Sequence, residues 1–336
     1  MGKPHLQHSY RAKIAPVPGG VARPLWSVMI PTFHCASFLG ETLESVLAQD
    51  PGPEVMQIEV VDDHSTNDDP EAVVQKVGKG RITFFRQPKN VGHTRNFEAC
   101  LQRSRGKLVH LLHGDDSVRP GFYAAMERAF ERQPKIGAAF CRQVFIDEFG
   151  QQQSVSALEQ PESGILENWL ERLAEEQRIM TPSIVVRRDV YEFVGAFDSR
   201  LVCSEDWEMW VRIAARYPIW YEVEPLALYR MHLHSNTGRH IRSGEDISFT
   251  CMAIDLFREY LPKQIADRVA RRAKQTYAFS ALEMARAMVA KRDWPAMRSQ
   301  IKAALGCSRS MRVWLRLIQF GVWSAAFSLK RMVVPR

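Results

Sequence analysis

The stretch LVHLLHGDD at residues 108–116 decides the architecture. An apolar run breaks off abruptly at His113, Gly114, Asp115 and Asp116. A run of this length bounded by a turn signal reads as a strand buried on both faces, which requires a parallel or mixed sheet flanked by helices. Adjacent carboxylates at the carboxyl end of such a strand stand where open α/β sheets bind ligands. Hard cations prefer carboxylate oxygens and commonly bridge to phosphates, so Asp115 is expected to hold a divalent metal beneath a diphosphate. The plain structural alternative is an Asp-Asp turn capping a helix near residues 119–133, since Asp is a frequent N-cap and turn residue.

Upstream, residues 26–30 (WSVMI) form a short strand expected to stop at Pro31-Thr32, because proline cannot continue a central ladder. Residues 37–49 have helical apolar spacing, with Ser37 as candidate N-cap. A second strand at 57–61 runs into Asp62 and Asp63. A helix at 70–77, a strand at 81–85, a helix at 94–104 and the strand at 107–112 follow. This alternation implies parallel pairing with right-handed crossovers. Downstream come a helix at 120–132, an apolar stretch at 136–146 read as a strand pair, and a polar segment at 147–161 read as a mobile loop. A helix near 166–174, a strand near 183–186 and a helix at 188–194 lead to an amphipathic helix at 204–217. Its Glu205-Asp206 pair stands at the start, and Trp207 and Trp210 are placed either against a ligand or in the core. Strands at 219–223 and 226–231 close the domain.

With 336 residues and 46% hydrophobic content, the chain has material for one large α/β domain and an appendage. The six scattered cysteines form no Cys-x-x-Cys pair, which suits a reducing compartment and predicts neither disulfide nor cysteine metal site. Residues 1–24 lack an apolar signal core and read as a flexible leader. No uninterrupted apolar stretch reaches the roughly 18 residues of a membrane span. The net charge of +7 is uneven. From residue 264 onward there are 15 Lys/Arg against 3 Asp/Glu, a net of +12, leaving 30 against 35, a net of −5, for the rest. From about residue 241 the pattern is helical, with an αα-hairpin turned near 291–293. Residues 311–330 combine a polar stripe (Arg312, Arg316, Gln319) with a wide Trp/Leu/Phe face, which suits a membrane interface or a helix packed on protein. The interleaved apolar face speaks against nucleic acid as the anionic partner.

Four segments in order, 27–49, 58–68, 90–116 (ending HGDD) and 194–214 (containing SEDW), together strongly resemble glycosyltransferase family 2, over roughly residues 25–237. The resemblance implies an inverting enzyme of GT-A fold, that is, a mixed, mostly parallel sheet flanked by helices, here with a helical C-terminal extension. The implied divisions are the leader at 1–24, the catalytic domain at 25–240, a helical extension at 241–310 and a basic amphipathic helix at 311–336. It also implies a nucleotide-diphosphate sugar donor, a glycan or lipid-linked acceptor, a Mn²⁺ or Mg²⁺ cofactor, and a role in cell-surface polysaccharide synthesis at the cytoplasmic face of the membrane.

Residue by residue, the resemblance implies that Pro31, Thr32 and Phe33 form the nucleotide-contacting turn. Asp62 would meet the base, with Asp63 beside it, and Arg95 and Asn96 would lie near ribose and phosphates. Asp115 matches the second acid of a metal-binding Asp-x-Asp whose first acid is here His113, with Asp116 assisting; imidazole suits Mn²⁺ better than Mg²⁺. Asp206 matches the catalytic base, with Glu205 raising its pKa slightly. His232 matches a position that reaches the metal or diphosphate, and His234 is its neighbour. Two other readings were weighed. A non-catalytic nucleotide-sugar-binding protein would retain the fold, and His113 is its support. A nucleotidyltransferase would carry a Gly-rich basic phosphate loop, which residues 31–37 (PTFHCAS) lack.

Overall fold

A strand with no polar face must be covered on both sides, and Leu108–Leu111, which forms β4, is entirely buried. It lies parallel to β1 (Trp26–Thr32), itself wholly buried. On its other side β1 pairs in parallel with β2 (Met56–Asp62), which pairs with β3 (Thr83–Arg86). The chain therefore moves outward through α1 (Ala36–Leu47) and α2 (Pro70–Gly78), then returns through α3 (His93–Arg103) to the far side of β1. The carboxyl ends of β1 and β4 flank the point where strand order reverses, the crevice in which open α/β sheets hold ligands. The computed structural model describes residues 10–232 and 240–333, with side chains of the last helix through Ser324.

Beyond β4 come β5 (Ser117–Val118), α4 (Phe122–Arg132), β6 (Ala138–Ile146), β7 (Gln152–Val155), β8 (Gly164–Ile165), α5 (Trp169–Glu175), β9 (Ile184–Arg187), α6 (Arg188–Val194), α7 (Glu205–Ala214) and β10 (Ile219–Arg230). The sheet runs β3-β2-β1-β4-β9-β6-β10-β5, with β7 on β6 and β8 on β10. Pairing is parallel from β3 to β4 and between β6 and β10, and antiparallel at β9 and β5. This is the expected mixed α/β sheet. Its core holds Val28, Ile30, Leu43, Ile58, Phe122 and Met126, so α1 and α4 each contribute an apolar face to it.

Several local expectations are corrected. Strand β1 continues through Pro31 to Thr32. The N–H that proline lacks would face β4, where ladder pairing has already ended at Leu111. Residues 136–146 are one strand, because no turn residue interrupts the run after Gly137. The segment at 147–161 contains β7, folded back on β6 through an Asp147 turn in which Oδ1 accepts from the backbone of Phe149 and Gln151. Residues 219–230 are one strand, and irregular register absorbs Pro225. Helix α1 starts after Cys35, whose side chain makes no capping bond, so Ser37 is not its N-cap. Helix α4 starts after Gly121, beyond β5, so Asp115 and Asp116 do not cap it.

Residues 10–24, expected to be loose, are tied down. Ile14 is fully buried, and Arg11 pairs with Asp198 at 3.1 Å and Glu208 at 3.1 Å. These are isolated contacts without periodicity, which a pattern search cannot find. Residues 1–9 lie outside the described residues.

The chain divides into two compact units, one of residues 1–169 and 177–231, the other of 170–176 and 232–336. The second contains α8 (Glu245–Phe257), α9 (Lys263–Ala290), α10 (Trp294–Cys307) and α11 (Met311–Val333). Its core gathers Ile247, Ala281, Leu282, Ala304 and Val313. A Cys251–Cys307 disulfide joins α8 to α10, against the expectation of none. The two cysteines are 56 residues apart and only helix packing makes them neighbours. Cys35, Cys100, Cys141 and Cys203 are buried and not disulfide-bonded. Among the described residues no helix is long and apolar enough to cross a membrane.

Gly106, just before β4, shows how closely the strands are drawn together. A Cβ there would lie 2.5 Å from the Ser27 nitrogen and the Trp26 carbonyl carbon, both backbone atoms that cannot swing aside. Gly106→Ala is expected to destabilise the first unit by about 1–3 kcal/mol, the usual cost of overpacking, measured by urea denaturation followed by tryptophan fluorescence.

Candidate functional site

The ends of β1, β2 and β4 are stitched together by backbone bonds. The Gly114 N–H donates to the Pro31 carbonyl at 3.1 Å, and the Asp63 N–H to the Thr32 carbonyl at 2.9 Å. Gly114 permits this approach, since a Cβ would sit 2.8 Å from Cys35 Sγ and 3.0 Å from Thr32 Oγ1. From α1, Thr42 Oγ1 donates to the Asp116 carbonyl at 2.7 Å. The turn carrying both acids is thus held from two sides.

Arg230, the last residue of β10, holds it from a third. Its guanidinium is buried and donates to the Asp115 carbonyl at 2.9 Å, the Asp147 carbonyl at 3.2 Å and the Glu41 carboxylate at 2.6 Å. Its backbone N–H donates to Asp116 Oδ1 at 2.8 Å, and Phe38 stacks beneath at 4.9 Å. Sequence reasoning passed over Arg230 in favour of the histidines that follow it. The signal was a lone arginine at the end of a buried strand, which requires several acceptors to be tolerated there.

His113, Asp115 and Asp116 each offer a ligand atom within 4.8 Å of the others. His113 Nε2 and Asp116 Oδ2 are buried without a hydrogen-bond partner. An unpaired buried polar atom costs about 1–3 kcal/mol, so the trio fits a cation that would satisfy both. Burial pulls the His113 pKa down, against the charges of Asp115 and Glu205. Burial and then Asp115 push the Asp116 pKa well up, with Arg230 opposing. His113 stacks on Phe97, ring centroids 5.1 Å apart.

Helix α7 presents the second group of acids. Its register is set by charges inside the protein: Arg212 pairs with Glu208 at 2.9 Å and donates to the Val194 and Ala196 carbonyls. Trp207 and Trp210 are fully buried, so they belong to the core and not to a sugar. Asp206 Oδ1 accepts from the Trp207 N–H at 2.7 Å, and Oδ2 from Gln177 at 2.8 Å and Thr181 at 3.3 Å. Burial, and then Glu205, lift its pKa to about 7, more than the slight rise expected from Glu205 alone.

Glu205 is buried, with Oε1 3.2 Å from His93 Nε2. Burial works against the His93 cation, yet Glu205 first, then Asp206 and Asp63, leave its pKa raised. His93 also acts on the charge of His113. One histidine at the start of α3 is therefore electrostatically linked to the loop after β2, the turn after β4 and the start of α7. It lay inside a quoted segment, but its neighbours are set by the fold alone.

The remaining expected residues divide. Phe33 is half-buried at the end of β1, its ring 3.9 Å from that of His34. Asp62 has no exposed surface: it accepts from Ser65 N–H at 3.0 Å and Arg86 Nε at 2.8 Å. Asp63 accepts from Val91 and Gly92 N–H groups at 2.7 and 3.0 Å. Asn96, expected near ribose, is buried between the Val61 carbonyl at 2.8 Å and Gln87 at 3.2 Å. Asp62, Asp63 and Asn96 thus brace loops, because a polar group buried at a strand end is consumed by local donors and acceptors. Arg95 is exposed on α3. His232 is the first residue of the second unit after Met231, and His234 lies outside the described residues. A separate cleft of about 490 Å³, lined by Leu25, Lys107, Phe130 and Arg187, opens at the amino ends of β1 and β4, away from these acids.

Acids collected at the reversal point of a mixed sheet, with a second pair opening a helix behind them, place the chain among GT-A glycosyltransferases. Residues 27–195 match the family model "Glycosyl transferase family 2", half of the chain, and the protein belongs to that family. An uncharacterized glycosyltransferase of Methanocaldococcus jannaschii is 25% identical over 69% of this chain and 79% of its own. Among solved structures, Staphylococcus aureus TarS residues 1–349 in complex with UDP-GlcNAc gives a TM-score of 0.62 at 14% identity, covering 85% of this chain and 91% of that one. The mannosyltransferase PcManGT of Pyrobaculum calidifontis, in complex with GDP-Man and Mn²⁺, gives 0.52 at 18% identity, covering 88% and 90%.

The Asp206 environment sets a pH expectation. Were Asp206 the group that must be ionised for turnover, its pKa near 7 would make kcat/KM fall as pH drops through about 7. Gln177→Leu removes a donor that favours the ionised form, so the pKa rises and the falling limb moves to higher pH. An unmoved limb in the pH profile would detach Asp206 from it.

Proposed function

We propose that the protein is an inverting glycosyltransferase, moving a sugar from a nucleotide-diphosphate sugar to a hydroxyl of a glycan or lipid-linked acceptor. Its setting in this reading is cell-surface polysaccharide synthesis, peripheral at the inner face of the membrane. The observation that carries it is the Asp206 carboxylate, held by three donors and brought by burial to a proton affinity suited to base catalysis near neutral pH. Inversion is one in-line displacement. The acceptor oxygen bonds to the anomeric carbon, the bond to the diphosphate oxygen breaks, and the acceptor proton passes to Asp206. Glu205, paired with His93, keeps a second charge beside the base and so maintains its raised pKa. A non-catalytic binder would have no use for such a carboxylate.

Asp115, His113 and Asp116 would hold Mn²⁺ or Mg²⁺, and the ion would supply countercharge to the diphosphate. The Mn²⁺ in the PcManGT structure supports this. Arg230 fixes the acids' backbone before any ligand arrives. Pro31, Thr32 and Phe33 with exposed Arg95 form the nucleotide side, while Asp62, Asp63 and Asn96 support its loops. The UDP-GlcNAc bound by TarS and the GDP-Man bound by PcManGT support a nucleotide-sugar donor. In this reading residues 25–240 form the catalytic domain and 241–310 a helical extension.

Asp206→Asn is expected to lower kcat by about 10²–10⁴-fold, the range of a lost general base, with donor binding retained in calorimetry; activity within a few fold of wild type removes the assigned base. Asp115→Ala should abolish the Mn²⁺-dependent part of donor binding, and unchanged binding refutes its role.

A further inference from the structure

Helix α11 carries two apolar faces. On one, Val313 and Phe320 are buried and Leu317 packs into the helical core. On the other, Met311, Leu315, Ile318 and Val322 are 73%, 53%, 62% and 68% exposed, with Trp314 at 45%. Their spacing of four, three and four places them along one line of the helix surface. A sequence pattern cannot separate these faces, because both are apolar. Packing on protein and facing outward are therefore not alternatives: the same helix does both.

Within α10 and α11 themselves the charge has one sign, with an anion alongside in Glu283 of α9, 3.9 Å from Arg316. From Trp294 to the end of the chain there is no Asp or Glu, while Arg298, Lys302, Arg309, Arg312, Arg316, Lys330, Arg331 and Arg336 supply eight cations. Arg298, Lys302, Arg309 and Arg312 are exposed, as is Trp294 at 43%. An apolar line on helices whose cations outnumber nearby anions such as Glu283 matches the boundary between acyl chains and anionic headgroups. No described helix is long and apolar enough to span, so the fit is to the interface.

We propose that the outward strip Met311-Leu315-Ile318-Val322 of α11 inserts into the interface of an anionic bilayer while the cations of α10 and α11 engage its headgroups. This rests on the membrane-facing reading of the C-terminus above and is independent of the donor chemistry.

The test is co-sedimentation of the full-length protein with vesicles of phosphatidylcholine alone or mixed with phosphatidylglycerol. Wild type should pellet with the mixed vesicles at least tenfold more than with phosphatidylcholine, and salt should weaken the binding. Leu315→Gln/Ile318→Gln should lower that binding at least tenfold with an unchanged melting temperature, whereas Phe193→Gln, removing an exposed aromatic elsewhere, should leave it intact. Should the double variant melt early, Lys302→Gln/Arg312→Gln carries the test, with the same loss expected. If wild type pellets with neither vesicle, the membrane reading itself falls. If wild type and both variants pellet alike, only the assignment of this face falls. Equal binding to both lipids overturns the headgroup part. A wild-type dimer in sedimentation velocity that the double variant abolishes overturns the proposal in favour of self-association.

Discussion

Buried carboxylates are expensive, and this fold places several at the ends of its central strands. Each is met by its own donors. Asp62 takes Ser65 and Arg86, Asp63 takes two consecutive backbone N–H groups, and Asp206 takes Gln177, Thr181 and the start of its own helix. The turn at Asp115-Asp116 depends on Arg230, whose guanidinium and backbone N–H reach both residues. Two buried polar atoms, His113 Nε2 and Asp116 Oδ2, stay unsatisfied beside Asp115. Other buried polar atoms, such as Arg212 Nε and Trp220 Nε1, also lack a hydrogen bond, but among the described residues only this point gathers three metal-type ligand atoms within 4.8 Å, which marks it as the place where a cation would supply the balance.

The same economy explains the division of labour among the acids. Asp62, Asp63 and Asn96 each spend hydrogen-bonding capacity on the loops around them. Asp206 is solvated only in part by its three donors, so its proton affinity stays near neutrality. His93 binds the arrangement together, since its ring lies within the fields of Glu205, Asp206, Asp63 and His113. The second unit obeys a different logic. It is built on helix packing around α9, closed by a disulfide between α8 and α10, and its last helix keeps one apolar face outward in a segment without anions.

Much of the catalytic half was legible from local pattern. Short β-rich runs identified β1, β2 and β4, and the acidic strand ends located the crevice, because strand patterning and ligand binding at carboxyl ends are properties of sequence-adjacent residues. Misreadings arose where one residue's effect depended on a distant neighbour. Pro31 extends a strand because the regular ladder with β4 ends before it and Gly114 needs only its carbonyl, Asp147 closes a hairpin that composition presented as a loop, and Arg11 and Ile14 anchor a segment with no periodicity.

The residues themselves determined the alternating strands and helices, the ordered acidic motifs and the concentration of positive charge toward the C-terminus, for these are matters of spacing and composition along one dimension. Only the tertiary structure decided that Arg230 secures the acids, that His93 faces Glu205, that Asp62 and Asn96 are consumed internally, that Cys251 meets Cys307, and which side of α11 looks outward. Those outcomes depend on pairs brought together across many residues, and contact, burial and electric field exist only once the chain has closed on itself.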